Sequence, residues 1–411
     1  MKRTVVFRNN TFQVDVGLLV ILLILMFTSC FALYNAFNLI SEGSGPTYLF
    51  RQILWYIIGF TVMFLLTSMS NEVIFKYVKK AYTILMYCLL YLLGSSILNR
   101  VTGHTLPFAP SINGAVSWLS IPLLGSFQPS EFMKIVLIVL VSKAIRDHQD
   151  AHPHPSGADD LQLLLKILRI TLPSLILIFL QPDTGVCIII VFTILVLLIC
   201  SGIRKQYIVV LLSVIVAAVV LFFYLFLFHE DFIAQFISAY RLQRIEAWLN
   251  PDEYILGSSN QLYTALLSLG SAGLTGYGLQ ANVIAIPEAH TDFIFAAIGQ
   301  CFGLIGTTAI VLLCMGLDLY LCMMAYRMKD RMDRFIVIGV VAMLFYQQIQ
   351  NLGMIVGIFP ITGITLPLIS YGGSSILSYF ISFAIIMNLS PESHKKAIRI
   401  LADRPKKAKK A

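Results

Sequence analysis

Three ionisable side chains occupy alternate positions in the stretch IPEAHTDFIF, residues 286–295: Glu288, His290 and Asp292. An apolar segment follows almost at once. A carboxylate at such a junction can satisfy the free amides at the beginning of a helix, where the helix dipole favours negative charge. It can equally be an ionised base that takes a proton from a substrate hydroxyl. Spacing alone leaves both interpretations of Asp292 open.

Glu288 and His290 are candidates for binding a substrate or for tuning Asp292. Alternate residues of an extended chain point to the same side, so the three side chains share a side only if the stretch is extended. A helical turn would separate them. Where this stretch lies depends on the elements around it.

The composition predicts a membrane protein. Of 411 residues, 58% are hydrophobic and 12% are charged, and the mean hydropathy is +0.83. Soluble domains are about 45–50% apolar and about 25% charged. A water-soluble protein with this composition would lack polar residues to cover its surface. We expect a single all-α polytopic transmembrane domain over residues 1–411.

Ten segments are apolar over the length of about 20 residues that a helix needs to cross the hydrocarbon core. The fourth and the tenth are short or carry polar residues at their edges, so nine or ten transmembrane helices are expected. The segments are roughly 14–38, 53–69, 81–98, 130–145, 163–180, 186–202, 207–229, 301–326, 334–359 and 373–390.

Basic residues assign the two sides of the membrane, because short cytoplasmic loops are rich in Lys and Arg. With both termini inside, nearly all of the 29 Lys and Arg fall in cytoplasmic segments. The exceptions are Lys134 within the fourth segment and the outer residues Arg51, Arg100, Arg241 and Arg244. Both termini are therefore expected in the cytoplasm.

This topology places one large loop, about 230–300, outside the cytoplasm between the seventh and eighth helices, and IPEAHTDFIF lies within it. The basic tail, about 391–411, is predicted to face an anionic lipid leaflet on the cytoplasmic side. The net charge of +8 therefore indicates membrane lipids as partners and not nucleic acid.

Polar residues near the membrane are costly and often functional. Glu131 and Lys134 are three residues apart, so they share one helix face. They form either an internal ion pair for packing or the wall of a polar cavity near the outer surface, and both interpretations stay open. Asp183, in LQPDTG at 180–185, occupies a very short outer turn; a structural turn is favoured there over substrate binding.

Arg241 and Arg244 lie three residues apart in YRLQRIEAWLNP, with Trp248 one turn further on. A helix here would be amphipathic and would lie on the membrane. Its arginines could bind lipid headgroup phosphates without specificity, or they could grip a pyrophosphate with two hydrogen bonds each.

Two stretches rich in Gly and Pro, 268–279 and 360–375, are not expected to form continuous helices. Non-helical backbone beside a membrane is tolerated where protein or a water-filled cavity surrounds it. These stretches therefore predict walls of an outward-facing cavity. Ser370 and Tyr371 in the second stretch are candidate substrate-binding residues.

The motifs together resemble the SEDS family (shape, elongation, division and sporulation) of RodA/FtsW-type peptidoglycan polymerases. The resemblance covers nearly the whole chain, and a RodA-like elongation member is favoured over a division member on the segment 240–251 and the short extensions. The strings that carry it are NGAVSWLSI, FQPSEFMKI, QPDTG, IPEAHTDFIF and ITLPLISYGGSS.

The resemblance implies roles for individual residues. It implies that Asp292 is the catalytic aspartate, that Glu131 and Lys134 are polar cavity residues, and that Trp118 is the outer-loop tryptophan. The chain also departs from the family pattern. Gln300-Cys301 stands where two acidic residues are common, and GSAG at 270–273 replaces the more usual GSGG. Any role of those acids in holding a cation or a partner is in doubt here.

The activity that the resemblance implies is glycosyl transfer between lipid II molecules at the outer leaflet of the bacterial cytoplasmic membrane. Asp292 would accept the proton of the acceptor hydroxyl. Lys134, Arg241, Arg244 or a divalent cation, Mg or Mn, would stabilise the departing pyrophosphate. No organic cofactor is expected. The implied protein partner is a class B penicillin-binding transpeptidase.

Two other functions fit the same sequence. Ten helices with an intramembrane Glu131 and Lys134 suit a lipid II flippase, although transporters often show internal repeats and none is visible here. A catalytically silent scaffold of a cell-wall synthase is the other alternative, and the intact Asp292 motif argues against it.

Overall fold

The computed structural model describes residues 2–7, 10–40, 44–69, 71–112, 115–121, 125–234, 239–252, 257 and 259–389. The predicted basic tail, 391–411, lies outside the described residues. Side chains of residues 2–14, 71, 121, 230 and 239–241 also lie outside the description.

The chain is helical over most of the described residues. Its thirteen α-helices are α1 Val16–Asn35, α2 Gly45–Thr67, α3 Asn71–Thr102, α4 Pro129–Ala151, α5 Gly157–Leu180, α6 Thr184–Cys200, α7 Lys205–Phe228, α8 Glu230–Ala234, α9 Ala239–Leu249, α10 Asn260–Ser271, α11 Ile294–Arg327, α12 Arg331–Ile355 and α13 Gly373–Asn388.

Each of the ten predicted apolar segments falls on one of these helices. Within the described part of the chain, seven helices are long and apolar enough to cross a membrane, namely α1, α2, α3, α5, α7, α11 and α12. The apolar helices α6 and α13 are shorter. The prediction of a helical polytopic membrane protein is confirmed.

Two short hairpins qualify the expectation of a wholly α-helical chain. Strands β1 (Lys2–Phe7) and β2 (Asn10–Asp15) pair antiparallel immediately before α1. Strands β3 (Leu119–Ile121) and β4 (Gly125–Phe127) pair antiparallel immediately before α4. The second hairpin positions the loop that carries Trp118.

Polar residues at the helix ends explain why several helices begin where they do. Asp15 accepts a hydrogen bond from Leu18 N at 3.2 Å and caps α1. Ser156 and Asp159 form a reciprocal capping box at the beginning of α5. Asp330 accepts from Asp333 N at 3.1 Å and caps α12. These caps satisfy amides that a helix leaves free at its first turn.

The helices α12 and α13 form the centre of the bundle. Helix α12 packs against α4, α6, α10, α11 and α13, and α13 packs along α2. In contrast, α7 buries Phe226 alone among its described residues. An exposed apolar surface of this size is typical of contact with lipid or with another protein, and the length and hydropathy of α7 indicate lipid.

The predicted outer loop, about 230–300, contains much regular structure. It holds the short helices α8, α9 and α10 and the turn at residues 287–293. Helix α11 begins at Ile294, earlier than the segment expected from about 301. A break at Gly303, with φ 58° and ψ −150°, separates a short buried half-helix from the longer membrane helix.

We expect Gly303→Ala to destabilise the protein. Only glycine adopts this backbone conformation readily, and a Cβ at Gly303 would lie 2.6 Å from the carbonyl oxygen of Gly273. Backbone strain of this kind costs about 1–3 kcal/mol. Gly316→Ala in the same helix is the matched control, because no atom lies within 4 Å of its added Cβ. Thermal unfolding of both variants in one detergent tests this, and equal melting temperatures would contradict it.

Candidate active site

A cavity of about 1020 Å³ lies at the end of the bundle that the charge pattern assigns to the outside. Its walls come from α2, α4, α6, α9, the second hairpin, the turn 287–293 and the non-helical residues 362–372. The residues expected from the sequence that line it are Trp118, Glu131, Asp183, Arg244, Glu288, Asp292 and Tyr371. The stretch 360–375 therefore forms part of a cavity wall, as expected.

Asp292 stands in the turn immediately before α11. The N-cap residue of α11 is Phe293, which makes no side-chain capping bond, so the interpretation of Asp292 as a helix cap is wrong. The Asn351 amide Nδ2 donates to the carbonyl oxygen of Asp292 at 2.8 Å and to that of Ile364 at 2.7 Å. This fixes the backbone of Asp292 while its carboxylate faces the cavity.

Burial raises the pKa of the Asp292 carboxyl to about 6. The Arg244 guanidinium opposes that rise and Glu288 adds to it. Both Asp292 and Arg244 lie against Gly363, where a Cβ would be 3.4 Å from Asp292 Oδ2 and 3.5 Å from an Arg244 terminal nitrogen. Arg244 also donates to the carbonyl oxygen of Ile361 at 3.3 Å. A base with such a pKa is largely ionised near neutral pH.

The stretch is a turn and not extended, so Glu288 and His290 have different surroundings. Glu288 has φ 54°, faces the cavity and accepts a hydrogen bond from Thr291 Oγ1 at 2.8 Å. His290 does not line the cavity. Its ring packs against Tyr48 at 4.3 Å and Tyr371 at 6.0 Å between centroids. Burial lowers the pKa of His290, which favours the neutral ring.

Glu131 and Lys134 satisfy both interpretations of their spacing. Lys134 Nζ lies 2.9 Å from Glu131 Oε1, and the lysine is 2% exposed. Its ammonium stands 5.7 Å from the centroid of the Tyr379 ring. Glu131 faces the cavity, while Lys134 lies behind the wall. The pair is thus an internal ion pair whose acid forms part of the cavity surface.

Asp183 caps α6, as its turn sequence indicates, and it also faces the cavity. Its Oδ2 accepts from Gln128 Nε2 at 2.8 Å and from Ser130 Oγ at 2.9 Å. Burial raises the pKa of the Asp183 carboxyl. These bonds tie the beginning of α6 to the beginning of α4.

Of the other candidate substrate-binding residues, Tyr371 lines the cavity and Ser370 supports its wall. The Tyr371 amide donates to the carbonyl oxygen of His290 at 2.9 Å, and its side chain is hydrogen-bonded with Arg51. Ser370 is buried behind the cavity wall, where its Oγ accepts from Leu366 N at 2.9 Å. Arg241 lies on α9, but its side chain lies outside the described residues.

Three residues that support or line the cavity were not predicted as site residues: Arg51, Gln128 and Asn351. Arg51 lines the cavity from α2, and its signal was available as a basic residue in a segment assigned to the outside. Gln128 lies in the motif FQPSEFMKI and both lines the cavity and binds Asp183. Asn351 has a weaker signal, a lone amide within an apolar helix.

A divalent cation finds no three-residue donor set here. Within the described ranges, no group of three or more His, Cys, Asp or Glu side chains is arranged to hold a metal ion. Mg²⁺ commonly binds through one or two carboxylates together with substrate phosphates, so the expected divalent cation stays a prediction.

The sequence profile of the family described as Cell cycle protein (FTSW_RODA_SPOVE) matches residues 11–395. Stage V sporulation protein E of Bacillus subtilis (strain 168) is 32% identical over 282 residues, covering 68% of this chain and 72% of that protein. The probable peptidoglycan glycosyltransferase FtsW of Geobacter sulfurreducens (strain DL-1 / KN400) is 30% identical over 386 residues, covering 90% and 94%.

Two solved structures share the fold. One carries the description "Structural coordination of polymerization and crosslinking by a peptidoglycan synthase complex". Its TM-score is 0.68, and it is 25% identical over 91% of this chain and 96% of that chain. The other is RodA of Thermus thermophilus, with a TM-score of 0.62 and 24% identity over 91% and 95%.

The chain therefore belongs to the FtsW/RodA/SpoVE family, the SEDS family that its motifs resemble. It is a multi-pass protein of the bacterial cytoplasmic membrane.

We expect Lys134→Met to destabilise the protein strongly. The substitution leaves the Glu131 carboxylate buried without its cation, and breaking a buried ion pair in this way costs about 3–5 kcal/mol. The double variant Glu131→Gln/Lys134→Met removes both charges and should recover most of the loss. Thermal unfolding of the purified variants measures both effects. A single variant as stable as the wild type would show that the pair does not hold this wall.

Proposed function

We propose that the chain polymerises lipid II, with Asp292 as the base that activates the acceptor sugar at the outer face of the membrane. As a member of its family, the chain is a peptidoglycan glycosyltransferase. The observation that carries the proposal is the position of Asp292: a carboxyl of raised pKa, in an outward cavity, beside an arginine. A proton acceptor and an anion-binding cation are the two groups that this transfer needs.

The proposed reaction is a single displacement. The 4-hydroxyl of the acceptor GlcNAc attacks the anomeric carbon of the donor sugar, and the bond to the lipid pyrophosphate breaks. Asp292 receives the hydroxyl proton as the new glycosidic bond forms. The α-linked donor gives a β-linked product, so one base and no covalent nucleophile suffice. Base catalysis of this type contributes about 10²–10⁴-fold to the rate.

Arg244 is suited to the departing pyrophosphate. A planar guanidinium binds phosphate oxygens in pairs, and charge stabilisation where charge develops is a large part of catalysis. Lys134 is less suited, because it is buried behind the cavity wall with its charge directed to Glu131. Its proposed role is to hold the glutamate in the wall.

The lipid chain of the substrate needs an apolar path from the cavity into the bilayer. Phe50, Leu54 and Ile58 line the cavity from α2 at intervals of four residues, so they form one apolar stripe along that helix. We propose that the polyprenyl chain lies against this stripe while the sugars occupy the polar part of the cavity.

Two alternatives remain distinguishable by experiment. A flippase would move lipid II without joining sugars, and a scaffold would do neither. The enzyme is favoured because Asp292, Arg244 and Glu131 all face one cavity at the side where lipid II is consumed. Glu131 and Lys134 form a closed pair, which a transport pathway for ions would have to open.

We further propose a class B penicillin-binding transpeptidase as the partner. The solved complex with 25% identity couples polymerization and crosslinking in its description. A polymerase that works alone would leave strands without crosslinks, so such a partner supplies the complementary chemistry.

We expect Asp292→Asn to abolish polymerisation without unfolding the protein. Asparagine keeps the size of the side chain but accepts no proton, so at least about 10²-fold should be lost. Gel analysis of glycan made from labelled lipid II, with and without the transpeptidase, measures this. Asp252→Asn, an exposed residue, is the control for expression and folding. Near-normal polymer from pure Asp292→Asn would show that Asp292 is not the base. If neither the wild type nor Asp292→Asn made polymer, a flippase or a scaffold would be favoured.

The rate of polymerisation should fall with acidification through about pH 6, because the base must be ionised and the pKa of Asp292 is about 6. Arg244 lowers that pKa, so Arg244→Gln should move the midpoint to higher pH as well as slow the reaction. Initial rates across this range measure both. A wild-type midpoint near the ordinary aspartate value of about 4 would contradict the proposed environment.

We also propose an elongation role. It rests on the α9 segment and the short extensions that resemble RodA. Depletion of the protein in its own bacterium should give rounded cells, whereas loss of a division polymerase should give filaments. Microscopy of depleted cells, with an Asp292→Asn copy as the control for catalysis, separates the two roles. Filaments would assign the chain to division.

A further inference from the structure

The side chain of Gln300 closes a loop that contains Asp292. We call residues 283–300, which include the first turns of α11, the Asp292 loop. Gln300 Oε1 accepts hydrogen bonds from Val283 N and Ile284 N, each at 2.8 Å, and Nε2 donates to the carbonyl oxygen of Ile284 at 3.0 Å. One side chain thus joins the last residue of the loop to its first two.

The orientation of this amide follows from its partners. Two backbone N–H groups can only donate, so they require the oxygen of Gln300, and a carbonyl oxygen can only accept, so it requires the nitrogen. Gln300 is completely buried. An unpaired polar group in such a place costs about 1–3 kcal/mol, so each of these bonds carries weight.

The backbone around Gln300 is held as well. Tyr277 N donates to the carbonyl oxygen of Gln300 at 2.9 Å, and Gly278 N donates to that of Cys301 at 3.0 Å. The residues just before the loop are tied to the end of α1, since Gln280 N donates to Asn35 Oδ1 at 3.1 Å. The beginning of the loop is therefore fixed on two sides, and Gln300 transmits that position to the half-helix that follows Asp292.

We propose that Gln300 is a positioning residue for Asp292, and that it acts because it is a neutral amide. The family resemblance leads one to expect an acid at this position. An ionised acid can accept the two N–H bonds, but it has no proton for the carbonyl oxygen of Ile284 and places a negative charge against it. The amide matches two donors and one acceptor at once. This inference rests on the proposed role of Asp292 as the base.

The proposal gives Gln300→Glu a characteristic pH dependence. A protonated glutamic acid donates its O–H to the carbonyl oxygen of Ile284, as the amide nitrogen does, and it keeps an oxygen for the backbone amides. Its ionised form loses that donor. The variant should therefore lose activity as pH rises, which is opposite in sign to the loss of Asp292 ionisation as pH falls.

Initial rates of lipid II polymerisation by full-length wild type, Gln300→Glu, Gln300→Ala and Gln206→Glu test this across the range in which Asp292 titrates. Gln206→Glu is the matched control, because it makes the same change at an exposed residue on α7, away from the loop. We expect Gln300→Glu to be reduced about tenfold at the alkaline end and to approach the wild type at the acid end. Gln300→Ala should lower kcat at every pH with little change in KM.

The two variants have clear contrary outcomes. A Gln300→Glu profile parallel to that of the wild type, or a change in KM alone for Gln300→Ala, overturns the proposal. Either result would leave the proposed function standing, provided that the wild type makes polymer and Asp292→Asn does not.

Hydrogen exchange tests the closure without any activity. In wild type, the amides of Val283 and Ile284 are held by Gln300, so Gln300→Ala should speed exchange in the peptide covering 279–293 by about tenfold. Peptides from α12 serve as the internal reference. Unchanged exchange at 279–293 overturns the proposal even if the wild type makes no polymer, and faster exchange there supports the closure in either case.

Discussion

The amide of Asn351 is the contact on which the outer cavity depends. Its Nδ2 donates to the carbonyl oxygens of Asp292 and Ile364 at 2.8 and 2.7 Å, so one buried side chain of α12 holds two non-helical walls together. Asn351 is completely buried at the centre of the bundle. Asn351 does not line the cavity, yet its bond to the Asp292 carbonyl oxygen holds the backbone that carries the carboxylate.

The same logic explains the polar side chains of the inner helices. The stretch 360–371 is not helical, and its carbonyl groups would be unsatisfied in a hydrocarbon environment. Side chains from α1, α2 and α12 donate to them instead: Ser29 to Ile369, Gln52 to Ser370, Tyr56 to Leu368 and Gln350 to Pro360. Several polar groups inside this membrane protein thus support irregular backbone rather than bind a ligand, and the cavity exists because they do.

The sequence predicted what depends on composition and spacing, and it failed where long-range contacts decide. Apolar length located the helices, and the helix period paired Glu131 with Lys134. The break in α11 at Gly303 was not predicted, because it depends on backbone contacts with residues 273–276 that lie far away in the sequence. His290 packs against Tyr48 and Tyr371 and does not line the cavity, and the left-handed backbone of Glu288 in the same turn is equally invisible to a spacing rule.

The apolar stripe of Phe50, Leu54 and Ile58 on α2 determines which substrate concentration matters for this protein. A substrate that reaches the cavity along a lipid-facing helix diffuses in two dimensions. Its availability is then set by its mole fraction in the leaflet and not by its molarity in the surrounding water. Saturation of the enzyme would depend on the mole fraction of substrate in the bilayer. Dilution of a membrane suspension with buffer would therefore leave the rate per enzyme molecule unchanged.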